Sequence, residues 1–207
     1  MKAKLFVITH LVLIWLVGTG MAADAPRQIA VFALDESISK YEDYVIMATA
    51  LPIRYMENIE EVEIKPIKGI KSGLIAYATC AMPKKIVRIK LKYSNSTKDF
   101  YEELLKRIKQ KFGAPTEYMG DPFHIVISWK WEFVNKDNER ITMTLQHNTM
   151  DTEEKKGNSV KLTNRTLINE DLKCYRAKAL DQRQKLRHRD WKVKTPGLSG
   201  WDLYVPR

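Results

Sequence analysis

The sequence predicts an α+β fold, an antiparallel or mixed sheet of about six strands with helices packed on one face. Two observations predict it. Several short segments alternate apolar and polar residues at a period of two, as half-buried strands do. Three longer segments repeat apolar residues every three or four positions, the period of an amphipathic helix. The predicted order is α-βββ-α-βββ-α, and strands that follow one another directly favour antiparallel neighbours over βαβ units.

The first part of the domain is predicted to contain a helix and three strands. A weak helical pattern covers residues 37–50 and ends before Pro52, because the residue before a proline disfavours the helical conformation. Strands follow over residues 61–65, 74–80 and 87–93. The third of these alternates apolar residues with bases, which is typical of an antiparallel strand that has one face in water.

The second helix has the clearest pattern in the chain. Ser96 is its candidate N-cap, since Asp99 follows at the spacing of a capping box. Gly113 and Pro115 end the helix, because glycine favours the C-terminal cap and proline cannot continue it. One stripe carries the large apolar side chains Phe100, Leu104, Leu105, Ile108 and Phe112.

Three further strands and a third helix complete the predicted domain. Strands over residues 125–133 and 141–146 flank a polar hairpin loop at Asn135–Glu139. A short strand covers Val160–Thr163, and the last helix extends over residues 167–189. Trp129 and Trp131 project from one face of their strand, so we expect them in the core, with an exposed stacking platform as the alternative.

The first 22 residues have the pattern of a secretory signal peptide. Lys2 and Lys4 precede an apolar segment, Leu5–Val17, and small residues at Gly20 and Ala22 fit cleavage after Ala22. The alternative is an uncleaved anchor, because the extended segment approaches the roughly 20 residues that span a bilayer. The predicted organisation is a signal peptide over 1–22, a lead over 23–36, one α+β domain over 37–180 and a basic tail over 181–207.

Positive charge is concentrated in the predicted tail. The chain has 35 Lys and Arg against 25 Asp and Glu, and residues 173–207 alone contain ten bases and three acids. Bases interleaved with aromatic residues suit an anionic membrane surface or an acidic polymer. The candidate binding residues are Arg183, Lys185, Arg187, Arg189, Trp191, Lys192, Lys194 and Trp201. The alternative is a solvated helix face that binds nothing.

The chain has two cysteines, Cys80 and Cys174. An exported protein meets an oxidising compartment, in which such a pair can form a disulfide. The bond would close a long loop and contribute about 3–5 kcal/mol in the chain-entropy model. Two unrelated buried thiols are the alternative.

Histidine offers two candidate sites, neither of which is well supported. In the predicted hairpin His147 lies on the apolar face and His124 points the other way, so we do not expect a shared metal. His147 could form an acid–base set with the acids that follow it, Asp151, Glu153 and Glu154. The alternative is a histidine at a strand end followed by a solvated acidic loop.

The predicted function is that of an exported, periplasmic or secreted, non-catalytic binding or envelope-assembly protein. Its basic tail would contact an anionic membrane surface or an acidic envelope partner. A hydrolase acting on an envelope polymer and a small-ligand module that uses the Trp pair are the alternatives. The sequence contains no common hydrolase, metalloprotease or phosphate-loop motif. We predict no cofactor, no metal and no nucleic-acid partner, since an exported protein rarely meets nucleic acid.

Overall fold

The computed structural model describes residues 24–150 and 157–188, which contain two antiparallel sheets. The small sheet consists of β1 (Gln28–Ile29) and β2 (Phe32–Ala33). The large sheet consists of β3 (Val45–Ile53), β4 (Met56–Ile64), β5 (Ile70–Ala78), β6 (Ile86–Tyr93), β7 (Glu117–Tyr118), β8 (Val126–Val134), β9 (Arg140–Asn148) and β10 (Gly157–Asn164). The other elements are a 3-10 turn (Ile38–Tyr41) and two helices, α1 (Lys98–Phe112) and α2 (Arg165–His188).

The large sheet is built from two four-stranded meanders. Its strand order is β3-β4-β5-β6-β10-β9-β8-β7, and all neighbouring strands are antiparallel. A helix follows each meander, since α1 leads from β6 to the far edge of the sheet and α2 follows β10. The two meanders meet at β6 and β10, where Ile89 pairs with Leu162 and Lys90 pairs with Lys161. The centre of the sheet therefore joins segments that are far apart in sequence.

The two faces of the large sheet differ in chemistry, because successive side chains of a strand point to opposite faces. The core face carries buried apolar residues such as Ile75, Ile89 and Leu162, which are neighbours on adjacent strands. The opposite face, named the open face, carries the residues in between, including Lys90 and Lys161. α1 packs on the core face, and α2 covers one end of the open face.

Two segments cover the core face. The N-terminal segment places Phe32 and Tyr41 in the core, and backbone hydrogen bonds to Ile86 hold it against the first meander. α1 covers the second meander, where the buried ring of Tyr101 lies against His147 with 5.4 Å between ring centroids. The N-terminal segment and α1 therefore cover the core face of the two meanders.

The prediction of α1 is confirmed, with a different N-cap. Thr97 rather than Ser96 caps the helix, since its hydroxyl accepts a hydrogen bond from the Phe100 N–H at 3.3 Å. The side-chain oxygen of Asn95 accepts the Thr97 N–H at 2.9 Å, which fixes the turn before the helix. Gly113, at φ +82°, ends α1 as predicted.

A bulge in β6 supplies an apolar contact for α2 on the open face. One extra residue, Val87, lies opposite the step from Ala76 to Tyr77 in β5. A bulge re-aims the side chains around it, and Val87 joins Ile59 and Ile168 in a small apolar cluster under α2. This cluster is the apolar part of the open face.

A buried carboxylate and a disulfide tie α2 to the turn after β5. Asp171 is 1% exposed, and its side chain accepts hydrogen bonds from the backbone N–H groups of Cys80, at 2.8 Å, and Ala81, at 2.6 Å. It also accepts a hydrogen bond from the side-chain amide of Asn58 at 3.2 Å. Cys174 forms a disulfide with Cys80, so the predicted Cys80–Cys174 bond is confirmed.

The predicted fold class is wrong. The described residues form an eight-stranded sheet instead of six strands, and two helices instead of three, so the order α-βββ-α-βββ-α is wrong as well. The segment predicted as a first helix contains the 3-10 turn, capped by Ser37, and the start of β3. Val45 of β3 pairs with Ile64 of β4, so strand pairing overrides a weak helical period.

The helices also do not share a face, contrary to the prediction. The N-terminal segment already covers the core face of the first meander, and α2 therefore packs on the other side of the sheet. A two-fold axis perpendicular to the sheet, between β6 and β10, would relate the two meanders and place both helices on one face. The two meander–helix halves are therefore not related by such an axis.

No helix in the two described ranges is long and apolar enough to cross a membrane. The predicted signal peptide over residues 1–22 lies outside those ranges, and so do residues 189–207 of the predicted tail. Export, cleavage after Ala22 and the domain limits at residues 36 and 180 stay predictions.

Candidate anion-binding site

The open face presents a polar surface at the centre of the large sheet. Strand register aligns its residues in rows that cross the sheet. The middle row contains Glu63, Leu74, Lys90, Lys161, Thr144 and Lys130. The rows on either side contain Ser72, Lys92, Ser159, Gln146 and Ser128, and Glu61, Ala76, Arg88, Thr163, Thr142 and Glu132. The five cations and six hydroxyls in these rows therefore outnumber the three carboxylates.

Three lysines lie on the middle row. Lys90 of β6 and Lys161 of β10 are directly opposite each other, and Thr144 of β9 separates Lys161 from Lys130 of β8. Neighbouring strands are about 4.8 Å apart, so the three lysines span about 14 Å. Like charges directly opposite each other destabilise a sheet. The Lys90–Lys161 pair is therefore unfavourable unless an anion lies close to it.

Two arginines extend this group of cations. Arg88 precedes Lys90 by two residues on the same face, where it is half-buried and interacts with Glu61. Arg165 is the first residue of α2, directly after β10, and its charge acts on both Arg88 and Lys161. The five cations, named the basic patch, are Arg88, Lys90, Lys130, Lys161 and Arg165.

Desolvation and neighbouring positive charges disfavour the charged form of two members of the basic patch. Desolvation by the surrounding side chains lowers the pKa of Lys161, and the charges of the other four members lower it further. Desolvation also lowers the pKa of Arg88, where Arg165 adds to the shift and Glu61 opposes it. Beside desolvation, the charges of neighbouring cations therefore contribute to both shifts.

The compensating acids lie at the margin of the patch. Lys130 Nζ is 2.5 Å from Glu132 and 3.1 Å from Glu117, and the hydrogen bonds that it donates to these two carboxylates raise the pKa of Lys130. Within the described residues, Lys90, Lys161 and Arg165 form no ion pair. Among the described residues, the cations without an ion pair are therefore centred where β6 meets β10.

A concave region of about 650 Å³ adjoins the basic patch. Its lining comes from β4, β5, β6, β9 and β10 and includes Glu63, Gly73, Lys90, Gln146, Asn148 and Ser159. The amides and the hydroxyl can donate hydrogen bonds to an anion. The volume is within the range of small-molecule sites, so the surface can hold an anionic molecule of that size.

The predicted tail residues lie away from the basic patch where they are described. Arg183 and Lys185 are exposed on α2, and Lys185 Nζ lies 2.7 Å from an oxygen of Asp181. At 1.5 Å per residue, Arg183 is about 27 Å along the helix from Arg165. The side chain of Arg187 and the residues Arg189, Trp191, Lys192, Lys194 and Trp201 lie outside the described part of the chain.

His147 is on the core face, as predicted from the hairpin register. It is 4% exposed, and its Nδ1 lies 2.7 Å from the side-chain oxygen of Asn158. The prediction for His124 assumed that the strand reaches it, but β8 begins at Val126 and His124 lies in the preceding turn, 3.2 Å from the Tyr118 hydroxyl. The described residues contain no cluster of three potential metal ligands. The acids Asp151, Glu153 and Glu154 lie outside them.

The Trp pair belongs to the core face. Trp131 is 2% exposed, and its indole N–H donates to the Gly113 carbonyl at 3.0 Å. Trp129 is half-buried between Tyr118, at 4.8 Å between ring centroids, and Lys109, whose Nζ lies 5.4 Å from the Trp129 ring centroid. The expectation of a core position therefore holds for Trp131.

In comparisons with known proteins, the chain matches no family model, no curated protein and no solved structure. The candidate site therefore depends on geometry. Sequence reasoning missed it, although the alternation over residues 87–93 identifies Arg88 and Lys90 as bases on a solvated face. No local signal pairs these bases with Lys161, because that contact forms only when β10 joins β6.

Proposed function

We propose that this protein is an exported, non-catalytic binding protein that holds an acidic ligand on the open face of its sheet. The observation that supports the proposal is the basic patch, whose central members Lys90, Lys161 and Arg165 form no ion pair with any residue that the structure describes. A group of like charges is unfavourable in the unliganded protein and favourable once an anion approaches. Export follows from the predicted signal peptide.

The basic tail is a second candidate contact, with an anionic membrane surface or an acidic envelope partner as its target. Its exposed members Arg183 and Lys185 are distant from the basic patch along α2. Mutations can therefore separate the two contacts. The alternatives of a hydrolase and a Trp-based module have less support, because His147 and Trp131 are both buried.

The test compares two triple variants that remove the same charge. One changes Lys90, Lys161 and Arg165 to Gln on the open face, and the matched control changes Lys178, Arg183 and Lys185 to Gln on α2. All six side chains are exposed, so neither variant disturbs the core. Binding of the mature chain to labelled polyphosphate is followed by fluorescence anisotropy across a salt series, and binding to phosphatidylglycerol vesicles by co-sedimentation.

We expect polyphosphate to bind with an affinity that falls as salt rises, since exposed charges are screened. The open-face variant should lose this binding, and the α2 variant should keep it. Equal losses in both variants, or no binding by the native chain, would contradict an open-face site. Loss of vesicle binding in the α2 variant alone would assign a membrane contact to the tail instead.

A further inference from the structure

We infer that Lys90 and Lys161 hold one phosphate group of the ligand between them, an inference that rests on the proposed function. The two lysines are directly opposite each other across the β6–β10 junction. Their nearest neighbours on the open face are Ser72, Leu74, Ala76, Arg88, Lys92, Thr142, Thr144, Gln146, Ser159 and Thr163. None of these neighbours is a carboxylate. The lysine pair therefore has hydroxyls, an amide and further cations around it, but no adjacent acid in the sheet.

The spacing of the pair suits one tetrahedral anion. Cβ atoms of directly opposite residues are about 4.5–5.5 Å apart, so two ammonium groups can approach one group of oxygens from opposite sides. Each ammonium has three N–H donors, and charge-assisted N–H···O bonds are about 2.8 Å long. The hydroxyls of Thr144, beside Lys161, and of Ser159, diagonal to Lys90, add neutral donors at the same place.

Charge favours phosphate over carboxylate as the bound group. A phosphomonoester carries about −1.5 to −2 at neutral pH and has three terminal oxygens, which matches two ammonium groups. A carboxylate carries one charge and leaves one lysine uncompensated. The concave region of about 650 Å³ next to Lys90 has room for the rest of a small phosphorylated molecule. A lipid headgroup and a soluble phosphate compound share this chemistry.

The experiment is a calorimetric titration of the full mature chain with three probes: inorganic phosphate, glycerol 3-phosphate and acetate. We expect both phosphates to bind and acetate not to bind. Lys90→Gln and Lys161→Gln should each weaken phosphate binding about tenfold or more, the effect of losing one charge-assisted contact. The control is Lys106→Gln, an exposed position of the same charge on α1, which should change nothing.

The double variant distinguishes a shared site from two separate lysines. If both hold one group, Lys90→Gln with Lys161→Gln should lose much less than the product of the two single losses. The inference would be overturned if the double variant shows the full product of the two single losses in affinity. It would also be overturned if the lysine variants lose no more affinity than the Lys106→Gln control. Polyphosphate binding that depends on the open face, without measurable binding of phosphate, of glycerol 3-phosphate or of phosphatidic acid vesicles, would overturn it and leave the proposed function intact.

Co-sedimentation with phosphatidic acid vesicles separates the two sources of phosphate. One outcome is that the vesicles bind and need Lys90 and Lys161 to do so, while glycerol 3-phosphate binds too weakly to measure. This outcome would support the inference, with a lipid headgroup as the source of the phosphate. Binding of glycerol 3-phosphate without vesicle binding would support it with a soluble ligand. Failure of polyphosphate, phosphate and vesicles together would overturn both the inference and the proposed function.

Discussion

At the residue scale, Lys161 shows a conflict between stability and binding. Its side chain lies opposite Lys90, and desolvation together with the charges of four cations lowers its pKa. A lysine whose pKa is lower in the folded state than in the unfolded state makes the folded state less stable while it is charged. Selection for stability alone would replace it with threonine or another neutral strand residue. Its presence in the middle of the sheet is consistent with a role in binding.

We therefore expect Lys161→Gln to raise the free energy of unfolding, by about 0.2–1 kcal/mol, the usual range for a cross-strand pair. The gain should be present at neutral pH. It should shrink as pH rises through the lowered pKa of Lys161, because deprotonation then removes the same charge from the native chain. Urea denaturation at several pH values measures it.

Salt provides the check on this explanation. Raising the ionic strength should reduce the difference between native and Lys161→Gln chains, since screening weakens the repulsion that the substitution removes. Lys106→Gln on α1 serves as the control and should leave stability close to the native value. A Lys161→Gln chain less stable than the native one at neutral pH would show that Lys161 has a stabilising partner.

At the scale of elements, α2 is anchored through its first half only. Ile168 packs in the apolar cluster under the helix, Asp171 binds the turn after β5, and Cys174 is bonded to Cys80. From Arg176 to Lys185 every described side chain except Ala179 is exposed. The second half of α2 therefore extends beyond its contacts with the sheet. This geometry separates the basic tail from the basic patch.

Asp171→Ala should remove most of this anchoring. The substitution leaves the backbone N–H groups of Cys80 and Ala81 and the amide of Asn58 without their acceptor. Buried donors without partners cost about 1–3 kcal/mol each, and partial rearrangement reduces the sum, so we expect a loss of about 3 kcal/mol. Asp181→Ala, an exposed position of the same helix, should change the free energy of unfolding by less than about 0.5 kcal/mol. Equal effects of the two substitutions in urea denaturation would contradict the anchoring role.

At the scale of the whole molecule, the disulfide connects the two meanders. Cys80 lies between β5 and β6, and Cys174 lies in the helix that follows β10, 94 residues later. Strands β6–β10 and α1 all belong to the loop that the bond closes. The bond therefore restricts nearly half of the unfolded chain rather than one local turn.

Replacing Cys80 and Cys174 together with Ser should lower the free energy of unfolding by about 3–5 kcal/mol, as the chain-entropy model gives for a loop of this length. The native chain in reducing buffer should show the same loss. We expect the double variant to bind polyphosphate as the native chain does under conditions where it is folded, because the basic patch lies on other residues. A loss of binding by the folded variant would instead place the turn after β5 in the site.

Much of the local structure could be predicted from the sequence. The apolar stripe from Phe100 to Phe112 defined α1, and the alternation over residues 87–93 defined β6, because both patterns depend on neighbours within a few residues. The cysteine count predicted the disulfide. β3 was missed, since residues 45–53 are apolar without a clear period and are specified by pairing with β4.

The candidate site and the fold class depend on tertiary structure. Residues 87–93 by themselves determine that Arg88 and Lys90 point to one solvated side of a strand. Only the return of β10 to the centre of the sheet places Lys161 opposite Lys90, and only the N-terminal segment on the core face directs α2 to the other face. Local sequence determines which side chains share a face, because that depends on backbone geometry. Which strands become neighbours depends on long-range packing, and the basic patch exists only after that packing is complete.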